Sequence, residues 1–527
     1  MSSRAPTMGF GTQDGHRHGA QWCRATGKRA PSEHRPQFPT VRLRPGTWGH
    51  SASVDALWND LTMATASGDL PDHLLQAVAD RTGRITLVVG AGCSLEDPTN
   101  LKLSRVYSLQ IHADLVRDGV LAQGDCEVPE DLSAVASAVW AKRMSQEEVV
   151  TRLPRTEFRN ARANYGYRAA AALMREGSVS AVLSLNFDLA MSHALAELSA
   201  HDVAVIAGPS ATRDLGSRVV VYLHRNVNED DPNEWILRVE ALQDEWQGRW
   251  EEVLSQRLIS SPIVVFAGLG SPAAVITESV GWIRQRLNPA QHLAYVVDPE
   301  VTTPFQDALN LPEDAHIQNG WCDFMLRMAH RLVTRLDLDL REACVALCDD
   351  HGWDEERPHI DDLSLAFFAE GLVVSGITRS KWLMSNEGYV PDEPRGRALL
   401  GDLLLGVGLA HRLTSSDLTI RRDGIVELRK DGRVIGTCLP VSGGGVLRWS
   451  AIEPRALKLL LDFPSYERPS AVLIAGMADS IPAEVSPPKD IAFGDSDDDV
   501  AGGLAGPSFI SVDDLRTDPS VAERLAS

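Results

Sequence analysis

Val88-Val89-Gly90-Ala91-Gly92-Cys93-Ser94 is an apolar run that stops abruptly in a turn of small residues. Glycines there let backbone N–H groups approach a pyrophosphate that a side chain would keep away, and a helix starting just after would add favourable partial charge. A GxG also occurs at plain tight turns, and Leu95 stands where the dinucleotide fingerprint GxGxxG has its third glycine. The surroundings decide the fold. Upstream, Ala56-Leu57, Leu61, Leu74-Leu75 and Val78 recur at helical spacing and lead into Arg84 to Val89. Downstream, β-branched runs recur at Val179 to Leu185, Val203 to Ala207, Arg218 to Leu223, Pro262 to Ala267 and His292 to Val297, each separated by enough chain for a helix. Continuous apolar runs, rather than alternation, mark strands covered on both faces. The pattern predicts an α/β domain, a Rossmann-like parallel sheet with helices on both faces, whose ligand sits at the carboxyl ends of the strands.

Farther along, Asp323 to Leu347 reads as one or two helices closing this domain, which we place at 51–345. Beyond about residue 350 the texture changes. Leu363 to Val374 and Leu399 to Leu413 are apolar enough for buried helices, and Gly424 to Leu428 and Arg433 to Gly436 flank Asp431-Gly432 as a hairpin would. Ala471 to Ala475 is another strand. A smaller mixed α/β C-terminal domain over 355–527 is predicted, with an acidic, glycine-rich flexible loop at 494–507.

Residues 1–50 carry eight Lys or Arg against Asp14 and Glu33, with many Gly, Pro and His and no apolar stretch. They read as a disordered basic tail without a signal peptide; the alternatives are an arm for an acidic partner, or a start assigned upstream of Met63. Over the whole chain, 72 acidic against 51 basic side chains leave a formal charge of −21, which repels a polyanion and argues against non-specific nucleic-acid binding. Seven scattered cysteines form no CxxC pairs, so reduced thiols in a cytoplasm are expected. No apolar run is long enough to span a bilayer.

Four further strand ends carry candidate chemistry. Asn186 and Asp188 follow Val182 to Leu185 two residues apart, so their side chains share a direction. Asp188 is equally well placed to cap a helix over Leu189 to Leu198. His224 follows Val219 to Leu223, where an imidazole can take a proton from a sugar hydroxyl or water. Val264 to Ala267 runs into Gly268-Leu269-Gly270-Ser271-Pro272, either a second close-approach loop or a turn before a helix starting at Pro272. Asp298 follows Tyr295 to Val297 and either accepts from a ribose or forms an Asp-Pro turn.

Taken in order, GAGxS, NxD, a histidine after a strand, GxGS and a closing strand and helix, these elements resemble the sirtuin family over roughly residues 80–335. Asp97 to Leu101 is also similar to the corresponding loop of bacterial sirtuin-like proteins of anti-phage defence. The resemblance implies that Gly90, Ala91, Gly92 and Ser94 contact NAD+, that Asn186 orients the nicotinamide-side ribose or water, and that Asp188 helps hold the nicotinamide end. It makes His224 the catalytic histidine, with Gly268 and Ser271 in the second nucleotide loop; Asp298 is added to the cofactor contacts from its place at a strand end. The chain departs from protein-deacylating sirtuins in three places. The span from His224 to Gly268 has no cysteine, so no zinc is expected; Arg225 replaces the glycine after the histidine; Ser184 replaces a threonine.

The resemblance therefore implies a NAD+ glycohydrolase that gives nicotinamide and ADP-ribose and serves as a defence effector. The bond breaks through an oxocarbenium-like state, which needs positive charge stabilised at the sugar and water delivered to one face. Unchecked activity would be lethal to its host, so residues 355–527 are expected to sense an activator protein or phage product, or to drive assembly as a homo-oligomer. The alternatives are a NAD-dependent protein deacylase and a non-catalytic module that binds NAD or ADP-ribose as a signal.

Overall fold

The computed structural model of the protein describes residues 70–198, 200, 203–214, 216–243, 250–270, 292–300, 307, 309–352, 354, 357, 360, 394–421, 423–461, 463–482, 507–518 and 520–525. All belong to one compact unit running from Val41 to Ser527. The basic tail, the helix expected at Leu363 to Val374, Ser271, the helix start at Pro272 and the acidic stretch through 506 lie outside the described residues.

In chain order the principal elements are α1 (Asp72–Asp80), β1 (Ile85–Val89), α2 (Ser104–Arg117), α3 (Leu132–Arg143), α4 (Tyr165–Arg175), β2 (Val179–Ser184), α5 (Ala190–Glu197), β3 (Ala204–Ile206), β4 (Val219–Tyr222), α6 (Trp250–Ile259), β5 (Ile263–Ala267), β6 (Leu293–Val297), β7 (His316–Ile317) and α7 (Trp321–His351). A second set follows: α8 (Pro394–Thr414), β8 (Asp417–Ile420), β9 (Val426–Lys430), β10 (Arg433–Leu447), α9 (Trp449–Leu460), β11 (Ala471–Met477), β12 (Ser508–Ser511), α10 (Val512–Thr517) and α11 (Val521–Leu525).

The first seven strands form one sheet in the order β3-β4-β2-β1-β5-β6-β7, and every neighbouring pair is parallel. Alternate residues feed two cores. Ile85, Leu87 and Val89 pack on one side with α1, α4, α5 and α7, while Val88, Val264 and Phe266 pack on the other with Leu254 and Ile259 of α6. Helices thus cover both faces, which explains why the strands are apolar throughout. The chain leaves β1 toward β2 on one side and reaches β5 on the other, so the strand order reverses at β1 and a crevice opens at its carboxyl end.

The closing segment is one helix, α7, of 31 residues, not two. Arg81 at the end of α1 ties α7 to the first sheet: its guanidinium bonds Asp339 and lies 3.7 Å from Glu176, all buried. The distal half of α7 packs on α8. A Cβ at Gly401 would come 2.8 Å from the Ala343 Cβ and 3.2 Å from its backbone carbon, a spacing only glycine allows. Gly401→Val should therefore force the helices apart and lower stability by about 1–3 kcal/mol, the usual cost of overpacking, read as a lower denaturant midpoint at unchanged slope.

The second sheet has the order β12-β11-β10-β9-β8; β10, β11 and β12 are mutually parallel, whereas β8, β9 and β10 are antiparallel. The expected hairpin lies between β9 and β10, with Asp431 at φ 53° and Gly432 at φ 78°, the two left-handed residues such a two-residue turn needs. One face packs on α9 through Trp449, Ile452 and Phe509. The other, with Leu428, Leu473 and Ile510, belongs to the same core as α7 and α8. Among the described residues no helix is long and apolar enough to cross a membrane.

Candidate active site

At the carboxyl edge the hydrogen-bond ladder continues past the strands. The N–H groups of Gly90, Leu185 and Leu223 donate to the carbonyls of Ala267 (2.9 Å), Val89 (3.0 Å) and Ser184 (2.9 Å). This draws the tips of β5, β1, β2 and β4 together. Ser184 pairs with Tyr222, so Asn186 and His224, each two residues on, occupy matching positions on adjacent strands.

The glycines of the first turn serve a purpose that local sequence did not reveal. A Cβ at Gly90 would lie 2.6 Å from the Gly268 carbonyl oxygen, and one at Gly92 would lie 2.6 Å from the Gly268 Cα. Gly268, at φ 64°, would in turn push a Cβ to 2.4 Å from the Cys93 nitrogen. The two glycine loops interlock backbone to backbone, held by the Gly92 N–H on the Gly268 carbonyl at 2.9 Å. Nor does a full helix follow the turn: Ala91–Ser94 form a single 3-10 turn, and α2 starts only at Ser104. The helix charge expected there is therefore missing, because Glu96 to Asn100 turn the chain away first.

Asn186 is buried, and its Nδ2 faces the Gly90 carbonyl (3.0 Å), the Tyr167 hydroxyl (3.0 Å) and Ser94 Oγ (3.3 Å). A carbonyl only accepts, so chemistry fixes the amide's orientation and turns Oδ1 the other way. Ser94 Oγ gives its one proton to Asp188 Oδ2 at 2.9 Å; the Tyr167 hydroxyl, 2.8 Å from Ser94 Oγ, must therefore donate to it. The result is a directed chain from Asn186 through Tyr167 and Ser94 to Asp188. Asp188 Oδ1 also accepts the Ala190 N–H at 2.9 Å, so the residue caps α5 and anchors the chain at once. Burial raises its carboxyl above the ordinary range, opposed by those two donors. Asn164 completes the frame: it accepts the Tyr167 N–H at 3.1 Å and donates to the Cys93 carbonyl at 2.8 Å.

His224 follows β4 and hydrogen-bonds the Leu185 carbonyl. Its ring centroid is 6.4 Å from that of Phe187, which packs 4.9 Å from Trp235. Tyr167 and Trp235 share one core, with Phe187 packed against it, so the amide and the imidazole lie on the same side of the sheet. Burial pushes the His224 pKa down to about 4; the Leu185 carbonyl opposes this and the Arg225 guanidinium adds to it. The imidazole is therefore neutral at pH 7.

A stability signature follows. Between pH 6.5, the ordinary value, and about 4 the unfolded chain takes this proton while the folded protein does not, so His224's contribution is intact above 6.5 and drains away as pH falls toward 4. The gap corresponds to about 3 kcal/mol. Denaturant titrations of the parent and His224→Gln at pH 7 and pH 4.5 should show the parent losing more; parallel losses would contradict a buried neutral imidazole.

Asp298 lies two strands from β1, and its Oδ1 accepts the Glu300 N–H at 2.8 Å, an Asp-Pro turn closed on itself. Sequence reasoning missed Tyr167, Asn164 and Trp321. A signal was available in Gly166, a glycine within a helical segment, where a Cβ would lie 2.1 Å from Trp321 Nε1. Trp321 in turn stands 5.8 Å from Tyr167, ring to ring. Among the described residues no group of three His, Cys, Asp or Glu side chains could hold a metal.

Solved Sir2 homologues are similar to this chain. A complex of a Sir2 homologue with NAD shares 16% identity over 51% of this chain and 97% of its own, with a TM-score of 0.32. A Sir2 homologue variant in complex with ADP-ribose shares 17% over 51% and 99%, at 0.31. A Sir2 enzyme described in a study of mechanism and regulation shares 14% over 50% and 98%, at 0.29. No family model and no curated protein sequence matches the chain.

Proposed function

We propose that this protein is a sirtuin-like NAD+ glycohydrolase. The observation that carries the reading is the matched placement of Asn186 and His224 on adjacent strand tips, beside interlocked glycine loops, at the point where the strand order reverses. In this reading the pyrophosphate lies along the turn Gly90 to Ser94 and toward Gly268 and Ser271. Asn186 Oδ1 orients the nicotinamide-side ribose or the attacking water, and Asp188 holds the amide behind it through Ser94 and Tyr167. The bond from the sugar C1′ to nicotinamide breaks with its electron pair leaving on the nicotinamide nitrogen. Water adds to C1′ and gives up a proton, which the neutral His224 accepts before passing it to solvent. One NAD+ and one water give nicotinamide, ADP-ribose and a proton.

The cysteine-free span from His224 to Gly268 favours hydrolysis over peptide deacylation. Residues 355–527 we assign to control, through an activator protein or phage product and through homo-oligomer assembly, as befits an anti-phage effector. The test is the full chain mixed with NAD+ and followed by chromatography. Nicotinamide and ADP-ribose should appear in equal amounts without an acylated peptide. Product that appears only with the peptide, as O-acyl-ADP-ribose, would make the protein a deacylase; NAD+ bound and returned intact would make it a sensor.

A further inference from the structure

Arg225 sits immediately after His224 with φ 73°, a left-handed backbone that favours glycine and strains a side-chain-bearing residue. Such strain persists only where the surroundings over-determine it, and here they do. The guanidinium is 1% exposed; Nη1 donates to Glu251 Oε1 at 2.9 Å, Nη2 to Glu234 Oε2 at 3.2 Å, and Nε lies 4.0 Å from Glu229 Oε2. The indole of Trp250 stands 5.2 Å from its central carbon. Three carboxylates and an aromatic face from α6 and from the loop after β4 thus converge on one cation.

That loop is also held by backbone bonds, the Val227 N–H on the Phe187 carbonyl at 2.9 Å and the Ile236 N–H on the His224 carbonyl at 3.4 Å, and by two further side chains: Arg155 donates to the Val227 and Glu229 carbonyls, and Gln146 to those of Pro232 and Trp235. Of these ties the Arg225 guanidinium is the one that reaches Glu251 of α6, and the residue before it is His224. We propose that Arg225 is a positioning residue that fixes the seat and tautomer of the His224 imidazole by clamping the β4 tip to α6. A left-handed turn alone could be supplied by glycine at no steric cost. What glycine cannot supply is the anchor to Glu251 and Glu234. The same cation, by favouring the neutral ring, suits an imidazole that must accept a proton.

The inference rests on the catalytic reading of His224, so its test has a readout independent of turnover. Removing Arg225 alone would take from the fully buried Glu251 carboxylate the cation 2.9 Å from it, a destabilising change in itself. The double variant Arg225→Gly with Glu251→Gln removes cation and charge together and relaxes the backbone. In the full chain with 15N-labelled histidine, His224 being assigned by its loss in His224→Gln, the parent should show one tautomer donating to the Leu185 carbonyl. The double variant should show averaged ring nitrogens and a kcat for nicotinamide release reduced about tenfold to hundredfold, with KM for NAD+ held, as a misplaced catalytic group gives. Arg225→Lys, which reaches only one carboxylate, should fall between them and supplies the same two readouts if the double variant does not fold. Unchanged His224 resonances overturn the proposal whether or not the parent turns over, as do changed resonances with a parental kcat. A parent that binds NAD+ without releasing nicotinamide overturns the hydrolase reading and leaves the imidazole resonances to judge Arg225.

Discussion

Replacing His224 with alanine is expected to lower kcat for nicotinamide release by about 10²–10⁴-fold, the range a positioned general base contributes. The folded protein should survive, because the loss removes a neutral ring and leaves no unpaired buried charge behind. Asn186 offers a sharper variant than alanine. In Asn186→Asp the group facing the Gly90 carbonyl changes from donor to acceptor, and two oxygens would meet where a 3.0 Å hydrogen bond now lies. The carboxylate must turn or take a proton, and the oxygen that now faces outward loses its fixed direction. Turnover should fall about a hundredfold for such a displacement. Nicotinamide release measured in single turnover separates this from slowed product release; parental rates in both variants would sink the assigned roles.

The second large effect is expected at Gly268. An alanine there meets the Cys93 nitrogen at 2.4 Å and the Gly92 carbonyl carbon at 2.8 Å, and must also hold φ 64°. Both contacts are backbone, so relief requires moving the whole first turn. Strain and overpacking together should cost about 3 kcal/mol or more, and the displaced turn should weaken NAD+ binding besides. Gly270→Ala is the internal control, because among the described residues nothing lies within 4 Å of its added Cβ. Thermal unfolding should show a clear drop for the first and little change for the second. Equal midpoints would mean that the loops are not locked together.

How much of this was legible in the sequence depends on the range of each interaction. The strands were, since a strand buried on both faces writes itself as a short continuous apolar run; each of the six runs became a strand of the first sheet within two residues of its expected ends. Asp431-Gly432 announced its hairpin because the turn's backbone angles dictate its residues. The tips Asn186 and His224 could be singled out by position alone. Their setting could not. Gly90 and Gly92 were read as making room for a ligand; their missing Cβ atoms also make room for Gly268, far away in sequence, and no local pattern encodes that partner. Tyr167 carries no local signal of its own, and only the fold sets its hydroxyl between Asn186 and Ser94. Arg225 was visible only as an unexpected residue, because its three carboxylates come from separate turns of chain. Asp298 had two readings from sequence; its Oδ1 closes a turn on the Glu300 N–H.

The length of α7 has a practical consequence. A helix of 31 residues extends about 46 Å, and its near end touches Tyr167 through Trp321 while its far end buries Leu340, Cys344 and Cys348 against α8. A gene cut just after residue 350 would release a polypeptide whose last five turns present an oily stripe to water, prone to clump with its own kind. The first sheet and the second are in that sense a single manufactured part: neither can be exchanged by shuffling modules at the obvious seam without redesigning the rod they share.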